Sequence, residues 1–229
     1  MVVYGVILLL MGGSLVLSVV YTARWLHRRF DIPYALLTVG IITYTVALVV
    51  QFVLIQFVDR ALLGILAINA LLVGLAAGFV EETTRLFGYQ YLARSTVTKP
   101  QALMVGLGHA LSDVMYPGLL AIGIALRMFT DAGSTADAGG KFSTAAAEAL
   151  SGMLLIPMHL ALSWLVLQVF LRGEVYWLFV AVFLHTTAEI MAVLIDPDSA
   201  WLLTLWRALM ALFSLGVLLR LEPPRLKEP

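Results

Sequence analysis

Apolar runs of about 20 residues, the length a helix needs to cross the hydrocarbon core of a bilayer, recur along this chain from one end to the other. They can be drawn as seven segments: Val2–Thr22, Pro33–Val58, Leu62–Val80, Ala102–Phe129, Thr144–Leu171, Val175–Ile195 and Trp201–Leu221, the third running on past Glu81 towards Leu92. Charge is scarce enough to agree: 12% of the residues are charged, about half the share of an average soluble domain. The fold predicted is all-α, a polytopic membrane bundle of about seven transmembrane helices, forming one domain over residues 1–229. Pro33 falls where a first-turn proline is tolerated. Asp196-Pro197-Asp198-Ser199 reads as a turn and helix start, and Thr130–Ser143 (TDAGSTADAGGKFS) as a flexible polar loop.

Basic residues near helix ends mark the cytoplasmic side. Arg24, Arg28 and Arg29 follow the first segment, Arg94 and Lys99 the third, Arg172 the fifth, and Arg220, Arg225 and Lys227 the last. The alternate ends carry Arg60, Arg127 and Lys141, diluted by Asp59, Asp131, Asp137, Asp196 and Asp198. This predicts an N-terminus outside and a C-terminus in the cytoplasm. The first run has its basic residues behind it rather than ahead, the reverse of a secretory signal, so a retained first helix is expected. A formal net charge of zero gives no bulk attraction to nucleic acid. The lack of cysteine excludes disulfides, thiol nucleophiles and Cys-ligated metal.

An ionisable group at bilayer depth costs at least a few kcal/mol, which makes each one a functional candidate. The third segment carries Glu81, Glu82 and Arg85, the fourth His109 and Asp113, the fifth His159, and the sixth His185 and Glu189. Counted at 1.5 Å per residue from the cytoplasmic ends, these helices bring Glu or His to a common depth of about 13–18 Å. Glu81–Arg85, His109–Asp113 and His185–Glu189 are each spaced i,i+4 and so share a helix face. A carboxylate in low dielectric can act as a general base on water. Histidines can stabilise an oxyanion, shuttle protons or bind metal. Together these are the parts for hydrolysing an amide without a covalent intermediate. Each has a blander reading alone: Glu81–Arg85 as a structural ion pair, His159 as an interhelical donor, and Gly106 and Gly108 as packing positions. The tyrosines and tryptophans read mostly as interfacial anchors or packing, and His27, among arginines, as interfacial.

Gly78-Phe79-Val80-Glu81-Glu82-Thr83-Thr84-Arg85 resembles the GxxEExxR signature of the YhfC-type membrane peptidases, which belong with the CAAX prenyl endopeptidases and bacteriocin-processing enzymes (the CPBP clan). Gly106-Leu107-Gly108-His109 with Asp113 is similar to their second motif, with Asp in place of the expected Glu, and His159 and His185 resemble the later single-histidine motifs. CPBP enzymes often carry Asn where this chain has Glu189. The resemblance spans about residues 74–191, the expected catalytic core. It implies a prokaryotic plasma-membrane enzyme in which a glutamate-activated water attacks a peptide bond while histidines stabilise the oxyanion. Some members are metallopeptidases.

The reading that results is an intramembrane endopeptidase. Glu81 or Glu82 is the general base, Arg85 orients glutamate or substrate, and His109 and His185 polarise the carbonyl or hold metal. Asp113 and Glu189 orient these two histidines, and His159 completes the site. His109, His159 and His185 would suit Zn2+, which commonly takes three protein ligands and a water in catalytic sites. The expected substrate is a peptide or membrane protein, with a lipid-modified one implied by the resemblance alone. The same Glu, Asp and His residues would also serve a proton-coupled transporter or channel, although no internal symmetry of the kind common in transporters is evident. A partner-binding membrane subunit without catalysis is a further reading. A retinal-type photoreceptor is set aside, because Lys99, Lys141 and Lys227 all lie near or beyond helix ends.

Overall fold

A computed structural model describes residues 2–57, 64–130, 138–195 and 199–224 of the chain. Every regular element among them is helical: α1 (Val2–Phe30), α2 (Ala35–Gln56), α3 (Leu66–Phe87), α4 (Lys99–Thr130), α5 (Ala138–Arg172), α6 (Tyr176–Leu194) and α7 (Ala200–Arg220). All seven are long and apolar enough to cross a membrane, so this is an integral membrane protein. α3 runs on into a π-helical turn, Gly88–Leu92, as the sequence suggested.

Two boundaries differ from expectation. α1 continues through Arg24, Arg28 and Arg29 to Phe30. It stops at Asp31, whose φ of 54° leaves the helical region, and His27 Nδ1 closes the turn by donating to the Ile32 carbonyl at 2.9 Å. The polar stretch read as a loop over 130–143 is partly helix: α4 takes Thr130 and α5 begins at Ala138. Packing overrides the two glycines here. Phe142 stacks on Tyr4 with ring centroids 4.5 Å apart, and it lies against the buried cluster of Leu8, Ala125, Met128 and Ala145. Pro157 is carried inside α5 without a break, as Pro117 is inside α4. The remainder of that loop (131–137), the Asp196-Pro197-Asp198 turn, and the expected segment ends Val58 and Leu62 lie outside the described residues.

Five helices form a closed ring: α2 packs on α4, α4 on α5, α5 on α6, α6 on α3, and α3 back on α2. α1 supports the ring from outside along α4 and α5, and α7 does so mainly along α5. The closest crossings are made by glycine, as small residues allow in membrane bundles. A Cβ on Gly40 would lie 2.8 Å from the His109 amide nitrogen and would collide with the Val105 carbonyl, and one on Gly108 would meet the Leu37 carbonyl. Gly106 lies against α5, where a Cβ would come 2.8 Å from the His159 carbonyl oxygen. Gly74 and Gly78 seat α3 on α6 at Thr186. Each of these close approaches lies within about a turn of a polar residue, so backbone contact is what lets side chains from different helices meet.

Gly40→Ala or Gly108→Ala is expected to cost about 1–3 kcal/mol of stability through overpacking against backbone that cannot move aside. Gly123→Ala, with nothing within 4 Å of the added methyl, should leave unfolding unchanged. Thermal unfolding in detergent compares the three, and a Gly108→Ala protein as stable as wild type would contradict the backbone contact.

Candidate active site

The ring encloses Glu81, Glu82 and Arg85 from α3, His109 and Asp113 from α4, His159 from α5 and His185 from α6. Relative exposure is 0% for Glu82, Arg85 and His109, 1% for His159 and 2% for His185. The His109–His159 and His159–His185 ring centroids are 5.1 and 5.8 Å apart. Glu189, one turn beyond His185, is half-buried and makes no hydrogen bond to another described residue.

Arginine offers donors only, and this fixes the direction of every bond that follows. Arg85 Nη1 donates to Glu82 Oε2. Its Nη2 donates to His159 Nδ1 at 3.3 Å, so His159 carries its proton on Nε2 and gives it to Asp113 Oδ2 at 3.1 Å. Asp113 Oδ1 accepts the Tyr44 hydroxyl at 3.0 Å. Glu82 Oε1 accepts from His185 Nδ1 at 2.7 Å. The Thr43 hydroxyl proton goes to the Gly40 carbonyl at 3.0 Å, so Thr43 Oγ1 accepts from His109 Nδ1 at 3.4 Å. Gln51 Nε2 holds Glu81 Oε1 at 3.1 Å.

This accounting places the proton of His109 and of His185 on Nδ1 and leaves each Nε2 as a lone pair. Both nitrogens face one carboxylate oxygen, Glu81 Oε2, at 3.0 Å for His109 and 3.7 Å for His185. Three acceptors converging out of water need a cation among them, either a proton or a metal ion. Two ligand atoms each about 2.1 Å from a tetrahedral zinc lie roughly 3.4 Å apart, and the distances of the two nitrogens from Glu81 Oε2, 3.0 and 3.7 Å, bracket that value. Each ligand would also have the outer partner that metal sites commonly show: Thr43 on His109, Glu82 on His185 and Gln51 on Glu81. Glu81, His109 and His159 likewise offer atoms within 4.8 Å of one another. His159, however, has one ring nitrogen on Arg85 and the other on Asp113, so His185 fits better as the third ligand.

None of the i,i+4 pairs expected along single helices forms: one gives way to an i,i+3 pair on the same helix and two to pairs across helices. Arg85 bonds Glu82, one turn back, rather than Glu81. Asp113 orients His159 rather than His109, and Glu82 rather than Glu189 holds His185. Groups on one helix face project side by side into the cavity, whereas an opposing helix presents its group head-on.

Thr43, Tyr44 and Gln51, all on α2, were not among the expected site residues. A search for ionisable groups passes over them, though the amide of Gln51 in an otherwise apolar run is a signal. Arg207 is ionisable and lies inside the last apolar segment, where its Nη1 donates to Ser151 at 2.8 Å.

Removing Arg85 leaves a buried carboxylate and a buried imidazole without their donor. Arg85→Leu is therefore expected to destabilise the protein by about 3–5 kcal/mol, the usual cost of breaking a buried pair. Adding Glu82→Gln should recover part of that loss. Chemical unfolding in detergent as a double-mutant cycle tests this, and strictly additive losses would show that the pair does not interact.

Compared with known families, residues 13–156 match the family model described as YhfC intramembrane metalloprotease, more than half of the chain. The matched stretch holds Glu81, Glu82, Arg85, His109 and Asp113 and ends before His159 and His185. No curated protein and no solved structure matches.

Proposed function

The chain belongs to the YhfC intramembrane metalloprotease family, and we propose that it is an endopeptidase whose reaction centre is the point between Glu81 Oε2, His109 Nε2 and His185 Nε2. The observation that carries this is the convergence of His109 Nε2 and His185 Nε2 on Glu81 Oε2, at 3.0 and 3.7 Å. Glu81, His109 and His185 would hold a divalent ion there. Such an ion lowers the pKa of a bound water and polarises a carbonyl.

The remaining groups divide the work by what they already hold. Glu82 has both oxygens occupied, one by Arg85 and the other by His185, so its role is to fix the His185 ring. Glu81 has one oxygen held by Gln51 and turns the other to the centre. On this reading that oxygen would hold the ion, which separates two neighbours that are equivalent in the sequence. Asp113 and His159 form a second carboxylate–histidine pair whose imidazole N–H already points at a carboxylate oxygen. Their part is to hold Arg85 from the far side.

A proton-coupled transporter would use the same residues, but the family match favours hydrolysis. The substrate on this reading is a polypeptide in or beside the bilayer, and a lipid modification on it has no feature of the site in its support.

Elemental analysis of purified protein is expected to find about one divalent ion per chain in the wild type and in His159→Gln. His109→Ala, His185→Ala and Glu81→Gln should lose it. Cleavage of a quenched peptide library should fall by about 10²–10⁴-fold in Glu81→Gln. Metal retained in His185→Ala but lost in His159→Gln would exchange the roles given to these two histidines.

A further inference from the structure

Among the described residues, the polar cluster is not covered equally at its two ends. On each helix that can be followed, openness increases in the same direction. Along α3 it falls from the Glu81 side chain, 10% exposed, to Glu82 and Arg85, both 0%. Along α4 it rises from His109 at 0% to Asp113, whose side chain is 28% exposed. On α6 it rises from buried His185 to half-buried Glu189, and on α2 from buried Thr43 to half-buried Tyr44 and Gln51. α3 runs antiparallel to the other three, so all four trends point to one end of the bundle.

The opposite end is closed by a tie across three elements. Tyr89, in the π-helical turn after α3, bonds Ser163 Oγ of α5 at 2.6 Å. Ser163 Oγ in turn donates to the Ala102 carbonyl of α4 at 2.8 Å. Beneath it Ala93 and Thr96 are buried as well. The half-buried groups at the open end are a phenol, an amide and two carboxylates. Such groups are expensive against lipid, which favours water over lipid around them.

The closed end is the one bearing Arg24, Arg28, Arg29, Arg94, Lys99, Arg172 and Arg220. Basic residues mark the cytoplasmic side. Resting on the function proposed above, we infer that water and substrate reach the cluster from the non-cytoplasmic end, through an opening lined by Tyr44, Gln51, Asp113 and Glu189. The substrate class that follows is a polypeptide whose scissile segment lies at the outer surface of the membrane.

The chain contains no cysteine, so single cysteines can be introduced without background. Gln51→Cys and Glu189→Cys probe the open end, and Gln90→Cys, exposed beside Arg94, probes the closed one. In intact cells a membrane-impermeant maleimide is expected to label the first two and not the third, and in inside-out vesicles the pattern should reverse. Labelling of Glu189→Cys and Gln51→Cys from the same side as Gln90→Cys would overturn the one-ended opening. So would failure of both to label from either side when the denatured protein labels fully. Labelling of the open-end pair from the cytoplasm alone would overturn the outer-surface substrate. In proteoliposomes of known orientation, external quenched peptides should be cut in proportion to the fraction of chains with the open end outward, and equal cutting by either orientation would also overturn the inference. Outward labelling in a protein that cuts no peptide would instead tell against the peptidase reading, because labelling does not depend on chemistry.

Discussion

Arg85 is the residue on which the interior of this protein depends. It is fully buried and offers donors only, so the fold must supply it with acceptors. It receives one from its own helix, Glu82, and one from across the ring, His159. Because Arg85 can only donate, His159 must accept on Nδ1 and donate from Nε2, which in turn calls for Asp113. Because Glu82 gives one oxygen to Arg85, the other is left to take the Nδ1 proton of His185. A single guanidinium thus sets the tautomer of two histidines on different helices and turns one bare nitrogen towards Glu81.

That arrangement needs backbones nearer than ordinary side chains permit. Glycines do this at three seams of the ring: Gly40 with Gly108 between α2 and α4, Gly106 against α5, and Gly78 against α6. There is no hydrophobic drive between helices in lipid, so close packing and interhelical hydrogen bonds carry association there. Structure and chemistry are therefore coupled here. The contacts that close the ring also set the distances between Glu81, His109 and His185, and the interhelical hydrogen bonds around those residues help to close the ring.

Much of this was legible in the sequence. The seven spans follow from hydropathy because lipid leaves a spanning chain few alternatives. Glu82, Arg85, His109, His159 and His185 stood out because charge at bilayer depth is costly, and their similar depths follow from helix rise alone. What was not legible is who pairs with whom. The i,i+4 rule predicts a shared face, and His109 and Asp113 do share one, but a shared face places two groups in one cavity without aiming either at the other. Rotation of neighbouring helices decides that, and glycine contacts set the rotation. α2 was the largest omission. Thr43, Tyr44 and Gln51 carry no charge, and they sit in a span apolar enough to hide them, yet they hold His109, Asp113 and Glu81 respectively.

The two adjacent glutamates show how neighbours with the same chemistry come to differ. On a helix successive residues are turned by about 100°, so Glu81 and Glu82 point to different sides of the same cavity. Glu82 is fully buried, and Arg85 and His185 occupy both of its oxygens. The Glu81 side chain is 10% exposed, one oxygen tethered by Gln51 and the other facing the Nε2 atoms of His109 and His185. Burial and partners leave Glu82 with nothing further to accept, while Glu81 keeps one acceptor uncommitted. On the function proposed above, a carboxylate that turns one oxygen to the reaction centre and has the other tethered can serve the reaction directly. A carboxylate saturated by its own protein can only support one that does.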